Sequence, residues 1–514
     1  MPGRLGAIDY AVLFAYLAGM LWLGLWVGRR LKTGDDYFLA GRRLPWWAIG
    51  FSLVATDIGA TDIIGGGGNA YRYGLAQANF EWIGCVPAMI VGAFVFVPFF
   101  HRLGIRTIPE YMERRYSPAV RTTLAVCLLL FMAFNLGIML FASAKMMSGL
   151  FGWNTTVCLL LTAALVGVYT SSGGLAADVY TDVLQCVVMI GGCLAIVGIG
   201  LAELGGVGPL FDKVREIDYS RRGGVDHTAL ILPADTSTPF PWTGIFFGLS
   251  LILSPAYWIG NQAIVQRSLG ARSEFEAKAS FVAGAFLKNV IPLVYVVPGL
   301  IALALYPNLA DGDHALPELA SKLLPVGARG LFLAAFLAAL MSTVDSYINS
   351  ASAILTLDLY KRHLRPDADE ARLLRVGRFT SVGVMAWGIA SGLAMGLVEG
   401  TGVYDAFQTL MAVFQGPLLA ILLGGALWRR ATARGALVGF LGGAATTGIL
   451  FTLNQKPVQD ALGIWPLFTV ASPYLYYSIW SFLVAATLLV TVSCLTPPEP
   501  EEKTRDSVYR RRTA

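Results

Sequence analysis

The chain has 514 residues, of which 56% are hydrophobic and only 14% charged. Soluble domains carry roughly 25% charged residues, so a sizeable water-soluble domain is excluded. The net charge of +5 is weakly basic, and neither a nucleic-acid partner nor an obligatory protein partner is evident.

Apolar runs of about 20 residues, each long enough to cross a bilayer as a helix, recur from end to end. About thirteen spans are expected, at 7–28, 46–70, 78–100, 120–148, 154–171, 179–203, 240–264, 278–306, 327–359, 374–398, 402–426, 433–454 and 474–496. The expected class is an all-α polytopic membrane protein. The first span lacks an Ala-x-Ala cleavage site and meets Arg29-Arg30 directly, as a retained helix does.

Basic residues gather in alternate loops. Arg29, Arg30, Lys32, Arg42 and Arg43 follow the first span, and Arg102, Arg106, Arg114 and Arg115 follow the third. Arg267, Arg272 and Lys278 follow the seventh, Lys361, Arg362 and Arg365 the ninth, and Arg429 and Arg430 the eleventh, while Arg510, Arg511 and Arg512 end the tail. The positive-inside rule then places the N-terminus outside and the C-terminus in the cytoplasm, in a plasma (inner) membrane. The loop 204–239, with Asp218, Asp226 and Asp235, reads as a solvated external cap. Six cysteines lack CxxC spacing and four scattered histidines form no metal cluster.

Two spans carry interruptions. The second has Gly65-Gly66-Gly67-Gly68 after Thr56, Asp57, Thr61 and Asp62, and the seventh has Ser254-Pro255-Ala256-Tyr257-Trp258-Ile259-Gly260-Asn261. Glycines weaken a helix and proline removes a backbone hydrogen bond. Breaks at membrane depth persist where freed carbonyls are buried or coordinate something. The two spans lie five apart, so they open two five-helix halves of opposite topology, the sequence mark of a transporter site at the midplane.

In the ninth span, Met341-Ser342-Thr343-Val344-Asp345-Ser346 gathers hydroxyls and a carboxylate inside an apolar helix. A carboxylate at mid-membrane costs roughly 3 kcal/mol or more, so such a cluster is a functional-site hypothesis. Oxygen ligands suit a hard cation, here Na⁺. The competing reading is that the hydroxyls bond back to the preceding turn.

Asp36-Tyr37-Phe38-Leu39-Ala40-Gly41-Arg42, Phe80-Glu81-Trp82, Thr107-Ile108-Pro109-Glu110-Tyr111 and Gly173-Gly174-Leu175-Ala176 occur in order. Tyr257-Trp258, Asn261-Gln262, Gln266-Arg267 and Leu357-Asp358-Leu359-Tyr360 follow. This ordered set resembles the sodium/solute symporter family, nearest its sodium–glucose branch, over nearly the whole chain. The resemblance implies a five-plus-five inverted-repeat core with two discontinuous helices, at 45–428 (repeats 45–203 and 239–428). One additional helix (1–44) would precede it, and two helices (429–496) and a tail (497–514) would follow.

It further implies a Na⁺ site built from the carbonyls of Ala55 and Ile58 with Ser342 and Thr343. A candidate second cation site would comprise Asp182, Asp345 and Ser346, whose two carboxylates would bind a cation or share a proton. The implied solute pocket comprises Glu81, Tyr257, Trp258, Asn261, Lys288 and Gln408, with Asp62 beside it. Asp57, Thr61 and Asp62 stand where the sugar branch has amide and acidic groups, Ser254 replaces an amide, Gly84 a serine, and Asp178 an apolar residue. These changes add carboxylates, which suit a cationic solute or an extra ion.

The function expected is Na⁺-coupled import of a small organic solute by alternating access, with sugars, polyols and sugar acids first. Cationic or zwitterionic solutes and monocarboxylates are the alternatives. A channel or sensor is more remote, because the tail after Pro497 is too short for a signalling module and the interruptions suggest an occluded site. An enzyme is not expected.

Overall fold

The computed structural model describes residues 5–29, 33–170, 174–221, 225–396, 403–470 and 472–509. Arg30, Lys32, Gly173 and Arg510, Arg511 and Arg512 lie outside them. Each of the thirteen expected spans coincides with helix. These are α1 (Ala7–Gly28), α2 (Trp46–Asp57 and Thr61–Ala78), α3 (Phe80–Leu103), α4 (Pro118–Phe151), α5 (Thr155–Thr170) and α6 (Gly174–Leu204). Then come α7 (Gly244–Gly260 and Gln262–Leu269), α8 (Glu274–Leu305), α9 (Ala328–Leu364), α10 (Glu370–Met395), α11 (Val403–Leu427), α12 (Ala433–Leu453) and α13 (Tyr474–Leu495).

Among the described residues nine helices are singly long and apolar enough to cross a bilayer. The two bent pairs, α2 and α7, also meet that test. Large apolar side chains such as Phe14, Trp22, Phe286 and Phe379 face outward. In water such a surface would aggregate; in lipid it is the matched face.

Helix α9 is the axle of the bundle. Its most apolar stretch is 94% buried, as expected of a helix that is hydrophobic all round. It packs against α6, α4, α1 and the first half of α2. Its N-terminus is held by Asp9 of α1, whose Oδ1 accepts the amides of Gly327 and Gly330, each at 2.7 Å. A carboxylate there also meets the positive end of the helix dipole.

The α7 break falls within the expected stretch 254–261, and the α2 break falls ahead of the glycine run. In α2 the helix stops at Asp57, Ile58 is extended (φ −92°, ψ 99°), and the second half leaves at 57°. The four glycines lie beyond, inside continuous helix. They serve close packing: a Cβ on Gly65 would meet the backbone of Tyr404 at 2.7 Å, and one on Gly66 the ring of Tyr295 at 2.9 Å. In α7 the break is at Asn261, six residues after Pro255, with a bend of 50°. Pro255 lies inside the first half of α7, directly after a wider, π-helical stretch (Gly244–Leu253), and does not itself break the helix.

The ordered motifs form a polar frame at the Arg-rich end of the bundle. Gln266 of α7 donates to the Phe38 carbonyl (2.7 Å) and accepts from Ser350 of α9 (2.9 Å). Gln262 accepts the Ile108 amide (2.9 Å), while Thr107 and Arg121 both donate to Asp358, at 2.9 and 2.8 Å. At the opposite end Arg72 and Lys145 each pair with both Asp311 and Asp313. The loop read as a solvated cap is partly built in. It forms helix Val207–Ser220, and His227 takes a hydrogen-bonding position 2.6 Å from Asp218 and 2.9 Å from the Arg72 carbonyl. Gly74 beneath it has φ +79° and touches the His227 backbone, so only glycine fits.

Candidate functional site

The break in α2 releases specific backbone groups. In an unbroken helix the Ala55 carbonyl would receive the Gly59 amide and the Ile58 carbonyl the Asp62 amide. Here the Gly59 amide donates to Asp62 Oδ2 at 2.9 Å, and the Asp62 amide turns to the Gly59 carbonyl at 3.2 Å. The carbonyls of Ala55 and Ile58 are thereby left without their helical partners. Asp62 both caps the second half of the helix and frees those two oxygens.

Opposite the break stands Thr343. A Cβ on Gly59 would lie 2.9 Å from its Oγ1, so the backbone at position 59 and this hydroxyl are in contact. Thr343 Oγ1 donates to the Ala339 carbonyl (3.0 Å), and Ser342 Oγ donates to Asp182 Oδ1 (2.5 Å). The first is the back-bond to the preceding turn that the sequence left open. Donation uses only the hydrogen of each hydroxyl and leaves its oxygen lone pairs available. Freed carbonyls and hydroxyls, all buried, are a donor set that fits a hard monovalent cation.

The candidate second cation site holds a cation already, one supplied by the chain. The guanidinium of Arg267 donates to Asp182 Oδ2 at 3.2 Å and to Ser346 Oγ. Its Nε donates to Ser52 at 2.7 Å, and Ser52 in turn donates to Asp182 at 2.5 Å. Thr56 completes the group, 3.0 Å from Ser346 and 3.4 Å from Asp182. Arg267 and Asp182 are each 1% exposed. A buried pair of this kind survives because every polar group in it is met. Asp345 is buried one turn along α9 from Ser342, and Asp178 accepts from Asn349 at 3.0 Å.

Between the two broken helices lies a cavity of about 50 Å³, lined by Asp57, Asp62, Glu81, Ser254, Tyr257, Trp258 and Gln408 with aromatic side chains around them. That is room for a few waters. A larger groove of about 530 Å³ runs past Leu160, Ala164, Val382, Met385 and Ile389, and none of the candidate residues faces it.

Lys288 is fully buried and donates to Glu81 Oε2 (2.6 Å) and to Asp57. Glu81 Oε1 accepts from Tyr295, a residue the sequence reading did not include, at 2.9 Å. Lys288 also stands 5.8 Å from the Trp258 ring centroid. Asp57, Glu81 and Cys85 offer ligand atoms within 4.8 Å of one another, and the Lys288 ammonium already supplies the positive charge between the two carboxylates.

Asn261 is placed differently from the pocket residues. Its Oδ1 accepts the Ala263 amide (3.0 Å), capping the second half of α7, and its Nδ2 donates to Tyr347 (3.3 Å). The substitutions at positions 84 and 254 are complementary. A Cβ on Gly84 would lie 2.7 Å from Ser254 Oγ, so the Ser254 hydroxyl fills the space a side chain at position 84 would need.

The family model described as sodium:solute symporter family matches residues 37–443. The chain is 33% identical over 494 residues to the sodium/glucose cotransporter of Vibrio parahaemolyticus, covering 91% of this chain and 89% of the relative. It is 34% identical to a sodium/mannose cotransporter of Bos taurus (96% and 88% covered) and 33% identical to sodium/myo-inositol cotransporter 2 of Sus scrofa (98% and 79%). Among solved structures, a substrate-bound, outward-open Na⁺-coupled sialic acid symporter superposes with a TM-score of 0.82 at 23% identity, covering 96% of this chain and 99% of that one. The fold is thus the five-plus-five inverted-repeat fold, with α2 and α7 as its discontinuous helices. The chain belongs to the sodium:solute symporter family, whose members couple solute movement to Na⁺.

Proposed function

We propose that this chain uses inward Na⁺ flow to accumulate a small hydroxylated solute, a sugar, polyol or sugar acid, by alternating access. The observation that carries the reading is the pair of carbonyls, Ala55 and Ile58, released where α2 breaks beside Thr343. The names of the sugar and inositol cotransporters support the solute class. In this reading Na⁺ binds first, bridging the break to Ser342 and Thr343 and fixing α2 against α9. Solute then enters the cavity between α2 and α7, where Glu81, Lys288 and Gln408 meet its hydroxyls and Tyr257 and Trp258 cover its ring. The cavity is too small for a hexose ring until the aromatic side chains around it move aside. The halves 45–203 and 239–428 rock about this point.

One positive charge crossing 100 mV is worth roughly 2.3 kcal/mol. A tenfold Na⁺ gradient adds about 1.4 kcal/mol, so a single ion sustains about a 500-fold gradient of a neutral solute. The Arg267 guanidinium seated on Asp182 and Ser346 favours one Na⁺ per solute over two. The basic loops support a plasma-membrane orientation with the N-terminus outside and the C-terminus in the cytoplasm.

Uptake into proteoliposomes tests the reading. Labelled glucose, mannose and myo-inositol should accumulate above equilibrium with a Na⁺ gradient and not with K⁺. Ser342→Ala and Thr343→Ala should each raise half-saturating Na⁺ by tenfold or more. Equilibration without accumulation would indicate a channel, and binding without movement a sensor.

A further inference from the structure

Three carboxylates, of Asp57, Asp62 and Glu81, line the solute cavity, and a single ammonium, that of Lys288, serves them. Lys288 is already engaged by Asp57 and Glu81, and the second oxygen of Glu81 is taken by Tyr295. Asp62 has no share in that pairing. Its Oδ2 holds the Gly59 amide and the Thr61 hydroxyl, its Oδ1 accepts no hydrogen bond from a described residue, and no described Lys, Arg or His forms an ion pair with it. It is 92% buried, being 8% exposed. A carboxylate held this way is costly in apolar surroundings unless a cation reaches it.

Two further groups are left open on the same cavity. Ser254 and Gln408, each 6% exposed, line it and make no hydrogen bond to another described residue. A hydroxyl and an amide left unpartnered at such burial point to a ligand that supplies both donors and acceptors. The remaining wall is apolar, part aliphatic (Leu249, Leu253, Met411) and part aromatic. Phe80 and Tyr404 meet edge to face at 5.4 Å, with Phe407 and Tyr257 beside them. Ring faces around a carboxylate are a known means of holding an ammonium group.

We propose that the solute of this cavity carries a protonated amine beside its hydroxyls, as an amino sugar or aminocyclitol does, with Asp62 and the aromatic wall receiving the ammonium. Ser254 and Gln408 receive neighbouring hydroxyls. The inference rests on the symporter reading above and narrows its substrate class. Asp62→Asn is the informative variant, because an asparagine Oδ1 still accepts the Gly59 amide and keeps the break while the charge is removed.

The test is Na⁺-driven uptake of labelled glucosamine, N-acetylglucosamine and glucose by the full chain in proteoliposomes. Glucosamine should half-saturate at a concentration at least tenfold below either neutral probe. In Asp62→Asn that preference should fall to within about twofold. Equal or better handling of the neutral probes by the unaltered protein, or an unchanged preference in Asp62→Asn, would overturn the amine assignment and leave the symporter reading intact. If no probe, nor mannose or myo-inositol, accumulates with Na⁺, both readings fall together.

Discussion

Asp182 persists in an apolar bundle because Arg267 brings it a charge and Ser52, Ser342 and Thr56 supply hydroxyls. Breaking a buried pair by removing one partner costs about 3–5 kcal/mol, whereas removing both charges is often nearly neutral. Arg267→Met should therefore lower the thermal midpoint of the detergent-solubilised protein sharply, and adding Asp182→Asn should restore most of it. A double variant as unstable as the single one would mean that Arg267 acts by packing alone. Gly59 permits a sharper test of the proposed Na⁺ site. A Cβ there would lie 2.9 Å from Thr343 Oγ1, so Gly59→Ala pushes that hydroxyl aside. Half-saturating Na⁺ should rise about tenfold, equivalent to about 1.4 kcal/mol, with the folded yield little changed. The hydroxyl cluster of α9 was legible in the sequence because polar residues stand out in an apolar run. Arg267 was not, since its partners lie 85, 79 and 215 positions away and nothing local distinguishes it from a loop arginine.

Helix existence was nearly all readable, because membrane spans announce themselves by length and hydropathy. The exact helix breaks were less so. The interrupted stretch 254–261 contains the observed bend at Asn261, but glycine content drew attention to 65–68 whereas the chain bends at 58–60. A break is set where a side chain takes over a backbone amide, as Asp62 does for Gly59 and Asn261 for Ala263. Either residue reads from sequence as a pocket group, and their capping role depends on geometry. The same logic governs the joint between α1 and α9. Asp9 accepts three amides, those of Gly6, Gly327 and Gly330. Leaving a buried donor unmet costs about 1–3 kcal/mol, so Asp9→Ala should destabilise by at least that much, read as a lower midpoint in thermal unfolding. An unchanged midpoint would show that α1 is only peripheral to the bundle.

Across the whole molecule, ion pairs tie both ends of the bundle as well as its buried middle. Burial alone would raise the Asp311 carboxyl. The hydrogen bond from the Asp313 amide, with Lys145 and Arg72, instead holds it at about 2, below its ordinary 3.8. At the Arg-rich end Glu113 is likewise lowered, burial again opposing and Arg362 and Arg121 prevailing. A carboxyl depressed in the folded state contributes stability above its unfolded value and loses it as pH falls through the folded one. The thermal midpoint should thus be level above pH about 5, begin to fall near 4 and continue towards 2. Asp311→Asn should flatten part of that descent; an identical acid limb in the variant would remove Asp311 from the account.

Asp62 reaches two neighbourhoods at once. One oxygen is fastened to the kink that exposes the Ala55 carbonyl, and the side chain also lines the cavity proposed to hold the solute. In the proposed symporter, losing the acceptor at position 62 would therefore disturb solute choice and Na⁺ affinity at once. A replacement at position 62 without an acceptor, such as alanine, would alter the chamber wall and the kink together, whereas asparagine keeps the acceptor.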